Sequence, residues 1–179
     1  VKIANVSDKK AIQIDNGVIE ESKSIQEYID VVKNKYALKS TSFVIGTVCR
    51  LFDEPKKVSD LIIAFSILKK KQSDIDYRLL IVGDGPDKAM LERLSEELNI
   101  SKEIIFTGYQ SETRVFYDTM DAFVLPSAKE AFGLVLVEAM FAKVPVIATN
   151  VGGVPYVTRD GYESILVSPN NPVQIANAL

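Results

Sequence analysis

Two glutamates, Glu130 and Glu138, stand eight positions apart in the segment KEAFGLVLVEAM, and everything between them is apolar or glycine. A carboxylate accepts hydrogen bonds from paired hydroxyls, which is what a ribose or a hexose presents. Upstream, CRLFDEPKK offers Arg50, Lys56 and Lys57, cations suited to phosphate oxygens. The chain has no histidine and a single cysteine, Cys49. The commonest general base is therefore missing, and so are most transition-metal ligand sets. Carboxylates, cations and glycine turns are what remains for chemistry, and they suit a ligand carrying both phosphates and hydroxyls.

The elements that must position these groups alternate. SIQEYIDVVKNKYAL (24–38) has helical spacing, with Ser24 and Glu27 placed as a capping box. FVIGTV (43–48) and YRLLIV (77–82) are apolar runs of strand length. Between them SDLIIAFSILKKK puts Leu61, Phe65 and Leu68 at helical spacing. PDKAMLERLSEEL (86–98) reads as a helix with Pro86 as its first residue. EIIFTG, DAFVLP, VPVIAT and SILV read as further strands. SETRVFYDTM, GLVLVEAMFAK, a turn in GGVPYVTRDG and PVQIANAL read as helical pieces between or after them. Strand–helix alternation with continuously apolar strands predicts an α/β, Rossmann-like, doubly wound parallel sheet covered on both faces. In such a sheet ligands lie at the carboxyl ends of the strands. Arg50, the GDGP turn, Tyr109, Glu130 and Gly152-Gly153 all follow strands and so share one rim.

In one continuous helix, eight residues would separate the glutamates by ~12 Å along the axis and ~80° around it. A helix beginning near Gly133 instead leaves Glu130 in the preceding loop and Glu138 in the second turn. Phe132, Gly133 and Leu134 then present unpaired N–H groups to polar oxygens. Solvated charges remain the alternative for Arg50, Lys56, Lys57 and both glutamates. GDGP suggests a dinucleotide fingerprint, but its third glycine position holds Lys88. A tight turn into a helix accounts for it better. Lys69-Lys70-Lys71 reads as a solvated helix end.

Composition narrows the class. With 47% hydrophobic and 25% charged residues over 179 positions, the chain is ordinary globular material for one domain. A net charge of −3 disfavours a generic nucleic-acid surface. No apolar run reaches the ~18 residues of a membrane span. One cysteine excludes an internal disulfide and fits a reducing compartment. Residues 1–20 are expected to be an incoming connection from another domain.

Taken in order, several segments resemble one family. They are IDNGV (14–18), CRLFDEPKKVSDLIIAF, YRLLIVGDGP, IIFTGY, LPSAKEAFGLVLVEAM with its glutamate–seven residues–glutamate signature, and VPVIATNVGGVPYVTRDGYESILV. Together they resemble the C-terminal, nucleotide-sugar-binding domain of retaining GT-B glycosyltransferases of family 4, or group 1. The resemblance implies that Arg50 and Lys56 meet the donor diphosphate, with Lys57 also eligible because the segment is one residue longer than the common pattern and Lys57 replaces a glycine. It implies that Glu138 binds ribose hydroxyls and that Glu130 lies at the donor sugar. The amides of Phe132, Gly133 and Leu134 would face the donor, and Phe106 to Tyr109 the base. Tyr156 and Ser164 depart from the family pattern. No metal and no cofactor are expected, since the nucleotide sugar, UDP- or GDP-linked, is a substrate. It implies that residues 1–20 enter from an acceptor-binding N-terminal domain and that residues 21–179 are the donor-binding domain, shortened at its end. The expected partners are that donor and a hydroxyl acceptor held by the N-terminal domain, in the cytoplasm or peripherally at the inner membrane face. A sucrose or starch synthase type enzyme and a non-catalytic nucleotide- or sugar-binding module are the alternatives.

Overall fold

The computed structural model of the chain describes residues 26–179. The incoming segment 1–20, the IDNGV motif and Ser24 of the expected capping box lie outside the described residues.

The chain runs through α1 (Gln26–Lys35), β1 (Phe43–Val48), α2 (Asp53–Lys56), α3 (Val58–Lys71), β2 (Tyr77–Val82) and α4 (Lys88–Glu97). After a 3-10 turn at Ser101–Glu103 come β3 (Ile104–Phe106), α5 (Arg114–Tyr117), β4 (Ala122–Leu125), α6 (Leu134–Phe141), β5 (Val146–Thr149), α7 (Val154–Val157), β6 (Ser164–Val167) and α8 (Pro172–Ala178). The six strands among the described residues all pair in parallel, in the order β3-β2-β1-β4-β5-β6. β1 and β2 occupy the residues expected for them.

Why the strands read as unbroken apolar runs is visible in their burial. Ile45, Leu79, Ile81, Val124 and Ile147 point into one core with α3, α4 and α8. Their neighbours Val44, Leu80, Val82, Phe123 and Ala148 point into a second core with α5 and α6. Successive side chains face opposite sides of the sheet, so both must be apolar. The structure is the doubly wound sheet expected.

One helix start differs. Pro86 sits in the turn and α4 begins at Lys88. The Asp87 carboxylate is directed away from its own helix and accepts the backbone N–H of Asp53 at 2.8 Å. The loop is therefore tied to the preceding crossover before the helix can start. The expected helix over 111–120 is reduced to the single turn α5.

Candidate functional site

Strand order reverses between β1 and β4, and the loops that leave them diverge to opposite faces. This switch point opens a crevice at the carboxyl ends of the strands. A cleft of about 430 Å³ lies there, lined by Cys49, Arg50, Gly83, Asp84, Tyr109 and Val135 among others. Arg50 is exposed, and its guanidinium makes no hydrogen bond or ion pair with any described residue, while its backbone carbonyl accepts the Phe52 N–H at 2.8 Å. Tyr109, which could equally have been a core residue, is 77% exposed. The GDGP glycines shape this wall, because a Cβ on Gly85 would stand 2.3 Å from the Leu51 carbonyl oxygen. The loop after β2 thus closes directly onto the loop after β1.

Lys56 is carried by a corner built from one buried carboxylate. Asp53 Oδ1 accepts the Ser59 N–H at 2.8 Å and its Oδ2 accepts the Ser59 hydroxyl at 2.6 Å. Ser59 lies at the start of α3, so a side chain from the previous turn satisfies a helix N–H that has no partner of its own. Between α2 and α3 the chain turns at Lys57, with φ 50° and ψ 41°. A left-handed conformation is one for which glycine carries no steric penalty, so the backbone at Lys57 would accommodate a glycine freely. The same turn separates the two lysines. Lys56 Nζ donates to Glu130 Oε2 at 2.7 Å.

Glu130 belongs to the loop between β4 and α6, as expected from a helix that starts at Gly133. That loop is fixed on three sides. The N–H groups of Ala128 and Lys129 both donate to the Pro55 carbonyl, at 2.8 and 3.2 Å. Lys129 Nζ pairs with Glu54 at 2.7 Å. The Thr149 hydroxyl donates to the Ser127 carbonyl at 2.5 Å, and the Ser127 hydroxyl lies 3.4 Å from Glu130 Oε2. From the far side, Gly153 N–H donates to the Glu130 carbonyl at 3.1 Å. A Cβ on Gly152, where φ is 52°, would lie 1.7 Å from that carbonyl oxygen. The glycine pair is a backbone-to-backbone clamp on the glutamate loop.

Glu138 occupies the second turn of α6, half-buried, and its Oε2 accepts the Tyr117 hydroxyl at 2.7 Å. Phe132 is half-buried, Gly133 buried and Leu134 40% exposed at the helix start. Cys49 forms part of the cleft wall. Burial pushes its thiol up to about 12, against a smaller opposing pull from the Lys56 charge. Among the described residues no cluster of three or more histidine, cysteine, aspartate or glutamate side chains could hold a metal ion. No described helix is long and apolar enough to cross a membrane.

The structure therefore brings Lys56 to Glu130 and places Arg50 and Tyr109 together in the cleft, with Glu138 bonded separately to Tyr117. The sequence alone did not single out Asp53, Asp87, Tyr117 or Ser127. Each acts across a long sequence interval or through backbone geometry, and no local spacing marks it.

Residues 15–179 match the family model of glycosyl transferases group 1. The chain is 31% identical over 172 residues to N-acetyl-alpha-D-glucosaminyl L-malate synthase of Bacillus anthracis, covering 96% of this chain and 44% of that protein. Its fold superposes on Anabaena Alr3699/HepE in complex with UDP-glucose, with a TM-score of 0.77 at 25% identity over 87% of this chain and 42% of that one. It also superposes on the C-terminal domain of a group 1 glycosyl transferase, LpcC, from Francisella tularensis, with a TM-score of 0.74 at 28% identity over 90% and 85% of the two chains. The chain spans less than half the length of the curated relatives it matches.

Proposed function

This chain belongs to the glycosyl transferases group 1 family, and on that premise we propose that it is the donor-binding domain of a retaining glycosyltransferase. The donor is a nucleoside diphosphate sugar, UDP-linked in the first instance, and the acceptor is a hydroxyl held by a separate N-terminal domain. The observation that carries this reading is the meeting of Lys56 and Glu130 at the switch point, beside the cleft that Arg50 lines. Breaking the bond between sugar and diphosphate leaves additional negative charge on the diphosphate. Arg50 and Lys56 stabilise that charge in the transition state more than in the ground state. Glu138 accepts from the ribose hydroxyls and Glu130 from the sugar, while the amides of Phe132, Gly133 and Leu134 face the donor. Tyr109 borders the base. These two cations supply the charge compensation, so donor binding proceeds without a metal. Retention of anomeric configuration is supported by the glutamate–seven residues–glutamate signature of Glu130 and Glu138. The one cysteine supports a cytoplasmic setting.

Titration calorimetry with UDP, GDP, UDP-glucose and NAD, with and without EDTA, tests the reading. Binding of a nucleoside diphosphate that persists in EDTA is expected. Loss of binding in EDTA overturns the metal-free claim, and NAD binding more tightly than every nucleoside diphosphate overturns the reading altogether.

A further inference from the structure

We propose that Tyr117 is a positioning residue for the Glu138 carboxylate, holding it in the one rotamer that can meet a ribose. The inference rests on the assignment of Glu138 to ribose made above. A glutamate side chain has three torsions, and leaving it free costs ordering entropy at the moment a ligand binds. A carboxylate that must accept from two vicinal hydroxyls therefore gains from being set beforehand. Tyr117 can set it. Its hydroxyl donates to Glu138 Oε2 at 2.7 Å.

The phenol is itself fixed. Tyr117 is 1% exposed, and its ring lies 5.6 Å from that of Phe123 on β4, tilted by 53°. The residue closes α5, and its hydroxyl crosses to α6. The bond thus ties the helix that carries the carboxylate to a ring packed on the central sheet. One oxygen of Glu138 is engaged from the protein side, which leaves Oε1 to accept from a ligand. The competing account is that a buried tyrosine hydroxyl simply needs an acceptor and finds the nearest one. That account predicts an effect on stability alone.

Tyr117→Phe removes the hydroxyl and keeps the ring. Calorimetry on the full chain would compare UDP with 2′,3′-dideoxy-UDP, which lacks the two ribose hydroxyls. The unsubstituted protein is expected to prefer UDP by about tenfold or more, and Tyr117→Phe to weaken UDP by about five- to tenfold while leaving dideoxy-UDP unchanged. Added to a Glu138→Ala background, Tyr117→Phe should cost no further UDP affinity, even if it lowers the melting temperature. Equal weakening of both ligands, no weakening at all, or an additive loss in the double variant overturns the positioning role. Failure of the unsubstituted protein to bind either UDP or GDP overturns the proposed function; a protein that binds GDP alone is compared in the same way with GDP and 2′,3′-dideoxy-GDP. Indifference between UDP and dideoxy-UDP overturns the ribose assignment. Either of these removes the present inference as well.

Discussion

Lys56 Nζ lies 2.7 Å from Glu130 Oε2, so the cation expected at the diphosphate and the carboxylate expected at the sugar form one ion pair. The side chains are 27% and 12% exposed, which places the pair largely out of water. An ammonium has three donors, so Lys56 can hold Glu130 and a phosphate oxygen at once. Before ligand arrives, however, its charge is partly neutralised by its partner.

Glu130→Ala should therefore leave UDP affinity unchanged or raise it, by no more than about tenfold, because the freed ammonium offers its whole charge to the diphosphate. Sugar transfer should behave in the opposite way. Loss of a hydrogen-bonding carboxylate at the reacting sugar lowers kcat/KM by roughly ten- to a hundredfold. Calorimetry with UDP and kinetics with UDP-glucose on the intact enzyme separate the two effects. Weakening of bare UDP to the extent seen for Glu138→Ala would show that the two glutamates do not divide the donor between them.

The two adjacent lysines should differ sharply. Lys56→Ala removes the cation that reaches Glu130 and should weaken UDP by about tenfold or more. Lys57 sits at the left-handed joint between α2 and α3, and its backbone conformation is one glycine adopts freely. Lys57→Gly should keep UDP affinity within about twofold. If Lys57→Gly costs as much affinity as Lys56→Ala, the phosphate contact belongs to Lys57 or to both.

Asp53→Ala should destabilise the fold by about 2 kcal/mol, since it leaves two donors on Ser59 unsatisfied at the start of α3. The variant also loosens the corner that carries Lys56, so UDP affinity should fall with it. Denaturant unfolding measures the first effect and calorimetry the second. An unchanged unfolding midpoint would mean that water replaces the carboxylate at no cost.

The sequence disclosed the fold more fully than the site, for a physical reason. Strands buried on both faces write themselves as unbroken apolar runs, and β1 and β2 were legible to the residue. Helix starts were less so. Pro86 looks like a first helical residue, but the Asp87 carboxylate is used by Asp53 across the crossover, and α4 starts later. At the site, residue types and order pointed to Arg50, Lys56, Glu130 and Glu138. What the one-dimensional pattern could not carry were pairings over long intervals, such as Tyr117 with Glu138. Nor could it say that Gly152-Gly153 clamps the Glu130 carbonyl rather than facing a ligand only. Glycine is legible as a residue type, but what approaches it is a property of the folded chain.

Cys49 supplies a pH test of the cleft wall, because it is the only cysteine. Burial raises its thiol to about 12, whereas an unfolded chain titrates it near its usual value of about 8.5. Below about pH 8.5 the thiol is protonated in both states, and the folded form keeps its full advantage. As pH climbs from there toward 12, the unfolded chain loses its proton first, and the stability contributed by this site is progressively lost. The unfolding midpoint should therefore fall between pH 8 and 10 more steeply in the unsubstituted protein than in Cys49→Ala. Alkylation reports the same group directly. Only the thiolate reacts, and a higher-pKa thiolate is more nucleophilic, so at pH 8 the folded protein should be labelled more slowly than the urea-unfolded chain by about tenfold or more. Labelling of the folded protein at the unfolded rate would mean that the cleft wall admits water to the thiol, and the close packing of the loops after β1 and β2 would have to be redrawn.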